Sequence, residues 1–335
     1  MSSSENLPSN NPRLTIVGPH FFSYCDAIVS HIESLGIPAQ SVDERGSQSF
    51  WIKAIFRSSL LRKLLPTVVR AQHDVVERKT TDFKSTHVIF ISPESINASL
   101  IESLKRSGVK VILYMWDSFD NKPAARDCLH LFDRSGTFDP IDAKTHKLTM
   151  INLFAEQEFF AKESSLLPRD IDISFVGTAH SSRPTIITRF VTNPRFSTLN
   201  KKIHLYRGNA YYYLRALIMT SFSRHTPLLK ESISKKIVAQ IFINSKYVLD
   251  ITHVNQRGLT SRTFEALAAG SVLVTNNQWA QKLLPKFAEK IILFKDIDYL
   301  ILSDSGMSTT EKSGIDMSDL TLNRFCREII ALSES

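Results

Sequence analysis

The residues best placed to do chemistry lie in one run, Gln256-Arg-Gly-Leu-Thr-Ser-Arg-Thr-Phe-Glu265-Ala-Leu-Ala-Ala-Gly270, followed by the strand-like SVLVTN. Thr260 can N-cap a helix, Phe264, Leu267 and Ala268 pack it, and Gly270 ends it. Ser261 and Glu265 lie four apart and share a face away from that apolar stripe. A helix start behind Gly258 offers unpaired backbone N–H groups and the positive end of a dipole, which suits a diphosphate. Arg262 in the first turn opposes that dipole, and an anionic ligand relieves the conflict. Glu265, one turn further in, can accept hydrogen bonds from both ribose hydroxyls. The plain alternative is a capped surface helix with an incidental charge.

Other candidates stand at strand ends. Gly177-Thr-Ala-His180-Ser-Ser-Arg183 follows the strand IDISFV; Gly177 permits close backbone approach and Arg183 can contact phosphate in bidentate fashion. Arg207 holds a comparable position after IHLY. For each arginine an ordinary surface role stands beside the phosphate role. Asp117 ends the strand KVILYMW, where it can serve as the base that takes a proton from an acceptor hydroxyl; His20, after Gly18, is second choice. Asp139 and Asp142 are further possibilities, and a cap or structural acid is the competing role for Asp117. Trp116 reads as packing before sugar stacking. The Asp-x-Asp pairs, Asp170/Asp172 and Asp296/Asp298, precede a strand and open a helix, positions that argue against a metal site.

Composition narrows the classes. Only 11 of 335 residues are glycine, and no two are separated by a single residue, so G-x-G-x-x-G cannot occur; the P-loop and G-x-S-x-G patterns are also absent. A nucleotide would be held without a glycine-rich cradle. Three scattered cysteines give neither a disulfide framework nor C-x-x-C, and the ten histidines show no zinc spacing. The polar N-terminus lacks a signal-peptide core, and no apolar run approaches the ~20 residues of a membrane span. A cytoplasmic protein is expected. The net charge is +8, of which residues 45–79 hold +6: Arg45, Lys53, Arg57, Arg62, Lys63, Arg70, Arg78 and Lys79 against Asp74 and Glu77. Interleaved with Phe50, Trp51, Ile52, Ile55 and Phe56, that segment is either a contact for an anionic membrane surface or a solvated basic face. No helix-turn-helix or RNP-like pattern supports nucleic acid as a partner.

The elements that must position these residues read as two α/β halves. LTIV ending at Gly18, a helix through Cys25, Val29 and Ile32 to Gly36, then HVIFIS and KVILYMW flanking a helix near 96–107, form the first. After a linker around 155–170, IDISFV, a helix over 184–191, IHLY, a helix over 234–244, YVLDIT, SVLVTN and KIILF form the second. Unbroken apolar runs separated by helices predict parallel sheets covered on both faces. The expected layout is a tail at 1–12, a Rossmann-like domain at 13–160, a second at 170–315, and a closing helix at 316–335 that can return to the first. Ligands of such folds sit at the carboxyl ends of the strands, and a cleft between two such sheets is the default site.

The 256–270 run resembles the nucleotide-sugar site of two-domain GT-B glycosyltransferases, specifically the CgeB-like, "glycosyl transferases group 1" proteins of surface-polysaccharide synthesis. Their R-x-x-E-x-x-A-x-G helix is matched by Arg262, Glu265, Ala268 and Gly270. YVLDIT, DISFVGTAHSSR, YMWDSFDNKP and FDRSGTFDPIDA extend the likeness over most of 110–295. The resemblance implies a cytoplasmic enzyme, peripheral to the inner face of the membrane where its acceptor is lipid-linked. It implies sugar transfer from a nucleotide-diphosphate donor to lipopolysaccharide or capsule, without a required cofactor or metal. Donor contacts then fall to Glu265, Arg262, Ser261, Thr260, Gly258, Gly177, His180, Arg183 and Arg207. An epimerase or hydrolase of the same fold, or a non-catalytic nucleotide-sugar binder, is the alternative. Many retaining members carry a glutamate eight positions before the ribose-binding one; here that position is Arg257, so stereochemistry stays open.

Overall fold

The computed structural model describes residues 12–18, 24–44, 64–161, 169–179, 181–206, 228–229, 231–253, 256–302 and 315–334. The chain divides into two units, Met1–Asn152 with Leu322–Ser335, and Leu153–Thr321.

The first unit is built on a parallel sheet of order β2-β1-β3-β4-β5-β6. Its strands are β1 (Leu14–Gly18), β2 (Ala39–Asp43), β3 (His87–Ile91), β4 (Lys110–Met115), β5 (Arg134–Thr137) and β6 (Thr149–Met150). The central strands are buried on both faces, which is why β1, β3 and β4 are unbroken apolar runs rather than alternating ones. Helix Tyr24–Ser34 buries Cys25, Ile28 and Ile32, so the stripe runs through Ile28 and not Val29. Gly36 ends it with φ +83°, the left-handed cap a glycine adopts without strain. Helix Pro66–Asp82 packs against Ala98–Arg106, and Tyr24–Ser34 packs against the last helix, Leu322–Glu334.

That last helix is part of the first unit's core. Phe325, Cys326, Ile329 and Leu332 are buried, and the Phe325 ring meets the fully buried Tyr114 edge-on at 5.2 Å. Leu332 Cδ2 lies 3.0 Å from where a Cβ on Gly136 would stand, so glycine there gives the helix close access to β5.

The second unit repeats the design with order β12-β11-β10-β7-β8-β9, again parallel throughout. Its strands are β7 (Ile171–Thr178), β8 (Lys201–Tyr206), β9 (Leu228–Leu229), β10 (Ser245–Asp250), β11 (Val272–Thr275) and β12 (Ile291–Leu293). The unit starts at Leu153, ahead of the expected linker, because residues on that stretch already belong to its core. Phe159 stacks obliquely on Phe242 at 5.9 Å, Glu156 pairs with Lys235, and Ala155 bridges to Thr321.

The short strands β2, β5, β6 and β9 are absent from the sequence reading. Each is a mixed or very short segment toward a sheet edge, where half-exposure removes the continuous apolar signal. Among the described residues no helix is long and apolar enough to cross a membrane. Of the basic segment, Arg45, Lys53, Arg57, Arg62 and Lys63 lie outside the described residues, as do its five aromatic and aliphatic partners. Arg70 on helix Pro66–Asp82 pairs with Asp74 one turn on, as on an ordinary solvated face.

Two outcomes follow from this packing. Phe325→Ala is expected to destabilise the intact protein by about 3–5 kcal/mol, read as a lower denaturation midpoint in urea. Burial pushes the thiols of Cys25 and Cys326 up to about 12, whereas Cys128 is only half-buried. At pH 8 a disulfide reagent should label Cys128 first and reach the other two only on unfolding. Mass spectrometry of the labelled peptides checks the order.

Candidate functional site

The carboxyl ends of β7 and β10 bring together the groups that the sequence singles out in the second unit. Each strand leads into a helix, Arg183–Thr192 after β7 and Ser261–Ala268 after β10. Both helices carry an arginine, and no acid, in the first turn: Arg183 at the first position and Arg262 at the second. A cation there opposes the helix dipole, so both chains need a local reason to be where they are.

Asp250 supplies part of that reason. It is the last residue of β10 and has no exposed surface. Its Oδ2 accepts hydrogen bonds from the hydroxyls of Thr260 and Thr263, each at 3.1 Å, and its Oδ1 faces Arg262 Nη1 at 3.4 Å. The Arg262 guanidinium also lies 5.5 Å from the centre of the Phe175 ring, and Nη2 would be 3.3 Å from a Cβ on Gly177. Gly177 is thus the clearance that lets the arginine lie against β7. Among the described residues the buried Arg262 Nε has no hydrogen-bond partner.

Arg183 lies beside this pair, donating from Nε to the carbonyl of Ile251 at 2.8 Å. Burial, then the neighbouring Arg262 charge, pushes its guanidinium down to about 10, with Asp250 and Tyr206 acting the other way. Two guanidinium groups held this close favour an anion.

The helix Ser261–Ala268 is deeply set. Thr263 through Ala268 are all buried, Glu265 included, so burial extends beyond the apolar stripe of Phe264, Leu267 and Ala268. Thr260 takes the N-cap position, but its hydroxyl serves Asp250 and caps no amide. At the other end Gly270 adopts φ +72°, and Arg169 donates to the carbonyls of Ala269 and Ser245 and to the Ser271 hydroxyl. The loop before the helix is held by two asparagines that follow β11. Asn276 Oδ1 accepts from Thr252 N at 2.8 Å, and Asn277 Nδ2 donates to the carbonyls of Gly258 and Arg257 at 3.2 and 3.3 Å. Gly258 is therefore buried inside a pinned loop.

Asp250, Asn276 and Asn277 went unmarked as functional residues in the sequence. Their signal was available: each is a polar residue ending a strongly apolar parallel strand, where the C-terminal edge of the sheet lies. His180, Arg207 and His20 lie outside the described residues.

In the first unit the acids have local tasks. Asp117 Oδ1 accepts from Ser118 N at 3.0 Å and from Asn121 Nδ2 at 2.8 Å, closing the turn after β4. Asp139 is fully buried and caps helix Pro140–His146 through the amides of Ile141 and Asp142. Asp142 accepts from Phe119 N at 2.9 Å, and burial raises its pKa. Trp116 meets Tyr24 edge-on at 6.3 Å. Of the Asp-x-Asp residues, Asp172 pairs with Lys246 and accepts from the Asn200 amide, and Asp296 and Asp298 pair with Arg189.

Comparison with known proteins supports the architecture. A family model described as glycosyl transferase-like matches residues 214–303, the stretch holding β10, the Ser261–Ala268 helix, β11 and β12. No curated protein sequence matches the chain. Among solved structures, a glycosyltransferase from Rickettsia africae aligns over 97% of this chain and 98% of its own with a TM-score of 0.60 and 10% identity. The lipopolysaccharide outer core galactosyltransferase WaaB, in its apo form, aligns over 96% and 100% with a TM-score of 0.53 and 13% identity. The UDP-GlcNAc 2-epimerase of Methanocaldococcus jannaschii, solved with UDP-GlcNAc and UDP, gives 0.52 over 96% and 100% at 11% identity. The fold is thus α/β, two Rossmann-like units of the GT-B type, shared by transferases and epimerases.

Gly177→Ala tests the clearance for Arg262. The added methyl would stand 3.0 Å from Phe175 Cζ and 3.3 Å from Arg262 Nη2. Overpacking of this kind costs about 1–3 kcal/mol, so the urea midpoint should fall, and a second-site Phe175→Leu change should recover part of it.

Proposed function

We propose that the chain is a glycosyltransferase that takes sugar from a nucleotide-diphosphate donor bound on the second unit. The observation that carries this reading is the placing of Arg183 and Arg262 in the first turns of the helices after β7 and β10, with Arg262 Nε buried and, among the described residues, without an acceptor. A diphosphate offers acceptor oxygens to both guanidinium groups, and charge-assisted bonds of this type are the strong ones. Glu265, buried one helical turn behind Arg262, is assigned to the ribose hydroxyls. Ser261, Thr260 and Gly258 bring backbone amides toward the phosphates, joined by Gly177, His180 and Arg207.

In the transfer, the bond from the anomeric carbon to the β-phosphate oxygen breaks, and its electron pair leaves with the diphosphate. The acceptor hydroxyl oxygen bonds to the anomeric carbon, and its proton passes to a base. The arginines and the helix N-terminus stabilise charge as it grows on the leaving oxygen, a role that needs no metal. Asp117 is assigned as the base through Oδ2, since Oδ1 closes its turn; His20 is the second assignment. The acceptor is assigned as a lipopolysaccharide or capsule chain, with the basic 45–79 segment facing an anionic membrane surface. The second reading is donor-only chemistry, because the same fold occurs in a UDP-GlcNAc 2-epimerase.

A thermal-shift screen against nucleotide sugars should raise the melting temperature for the true donor by mass action. Arg262→Ala and Glu265→Ala should each weaken that donor by about tenfold or more, in line with a lost charged hydrogen bond. Unchanged affinity in both variants removes the donor assignment. Product analysis with donor alone separates epimerisation or hydrolysis from transfer.

A further inference from the structure

Asp250 is a carboxylate placed where an anion is expected. It is fully buried, held from one side by the Thr260 and Thr263 hydroxyls at 3.1 Å, and it reaches Arg262 at 3.4 Å. A site built only to hold phosphate would gain by leaving this position neutral. An asparagine would keep an oxygen for the two hydroxyls and leave the full arginine charge to the ligand. The negative charge therefore works against anion affinity, and its effect grows with the charge of the anion.

We propose that Asp250 is a specificity-determining counter-charge, which disfavours the nucleoside diphosphate product more than the nucleotide-sugar donor. The proposal rests on the donor reading above. The sugar ester carries one negative charge on each phosphate. The diphosphate left after transfer has a terminal phosphate that ionises a second time at about pH 6, so near pH 8 it carries one charge more. Both ligands meet the same arginines, and the extra charge alone would make product the tighter ligand. Asp250 opposes that advantage. At an effective dielectric near 20 and a separation of about 10 Å, one added ligand charge facing one carboxylate changes affinity on the order of tenfold. Thr260 contributes by turning its hydroxyl from capping to Asp250, which fixes the carboxylate against the Arg262 side chain.

The test is isothermal titration of the full chain and its Asp250→Asn variant with paired probes, UDP with UDP-N-acetylglucosamine and GDP with GDP-mannose, at pH 8 and low salt. Expected is a gain in diphosphate affinity of about tenfold over any gain for the matching nucleotide sugar. In a turnover assay, product inhibition should strengthen by a similar factor. If Asp250 is only a structural anchor for Arg262, the variant loses affinity for both ligands together, and the proposal falls. An unchanged ratio overturns it as well. Should Asp250→Asn not fold, the wild-type chain decides. The proposal requires the diphosphate to bind no more than about threefold tighter than the nucleotide sugar, and a diphosphate tighter than that overturns it. Where the wild type binds no member of either pair, the donor reading itself has failed; where it binds a pair and only the ratio disagrees, that reading stands and the counter-charge does not.

Discussion

A carboxylate shut off from water must be met by donors, and the carboxyl end of the second unit's sheet is arranged around that requirement at Asp250. Breaking such a buried pair by removing one partner typically costs about 3–5 kcal/mol, which is large against the marginal stability of a domain. Three consecutive features of the 256–270 run answer the same group: the Thr260 hydroxyl, the Arg262 guanidinium and the Thr263 hydroxyl. The first turn of the helix is thereby tied to the end of β10. Its arginine cannot swing freely into solvent, and the helix start is fixed relative to β7 by the same contact.

The surrounding pieces each remove one freedom from this arrangement. Gly177 gives Arg262 room against β7. Arg169 gathers the carbonyls at the far end of the helix, where the dipole favours a cation, and Gly270 supplies the left-handed cap beside it. Asn276 and Asn277 close the loop between β10 and the helix from the adjacent strand. Rigid elements holding a few convergent polar groups are what a small-molecule site needs, since affinity is lost when side chains must be ordered on binding. The same logic explains the first unit's acids. Asp139, Asp142 and Asp117 use their oxygens to hold backbone amides at the carboxyl ends of β4 and β5.

Much of this was legible in the sequence, for identifiable reasons. The strands β1, β3, β4, β7, β10 and β11 are largely apolar because a parallel sheet is covered on both faces, so burial writes itself into consecutive residues, while the edge strand β12 was legible from its apolar sequence IIL alone. The Ser261–Ala268 helix was legible from its cap, its stripe and Gly270. Edge strands such as β2, AQSVD, were not, since half their side chains face water and the pattern resembles a loop. Asp250 was hidden for a different reason. Its meaning comes from Thr260, Arg262 and Thr263, ten to thirteen positions away, and no local pattern marks a carboxylate as buried. Glu265 was read as lying on a polar face because a single helix has one apolar stripe; the structure buries nearly the whole helix, which periodicity alone cannot announce.

The helix-dipole argument for Arg262 also changes in the light of its surroundings. In the sequence, a cation in the first turn is a conflict that an outside anion relieves, or an incidental charge on a surface helix. In the structure Asp250 already answers part of it through Nη1, and Phe175 offers its ring face to the same guanidinium. What is left over is more specific than a charge. Among the described residues the buried Nε has no acceptor, and a buried donor without a partner is costly enough that most are satisfied. Under the proposed function, that donor takes its acceptor from the bound ligand. A phosphate oxygen has the geometry and charge for that, and a solvent-exposed arginine on a surface helix would never have posed the question.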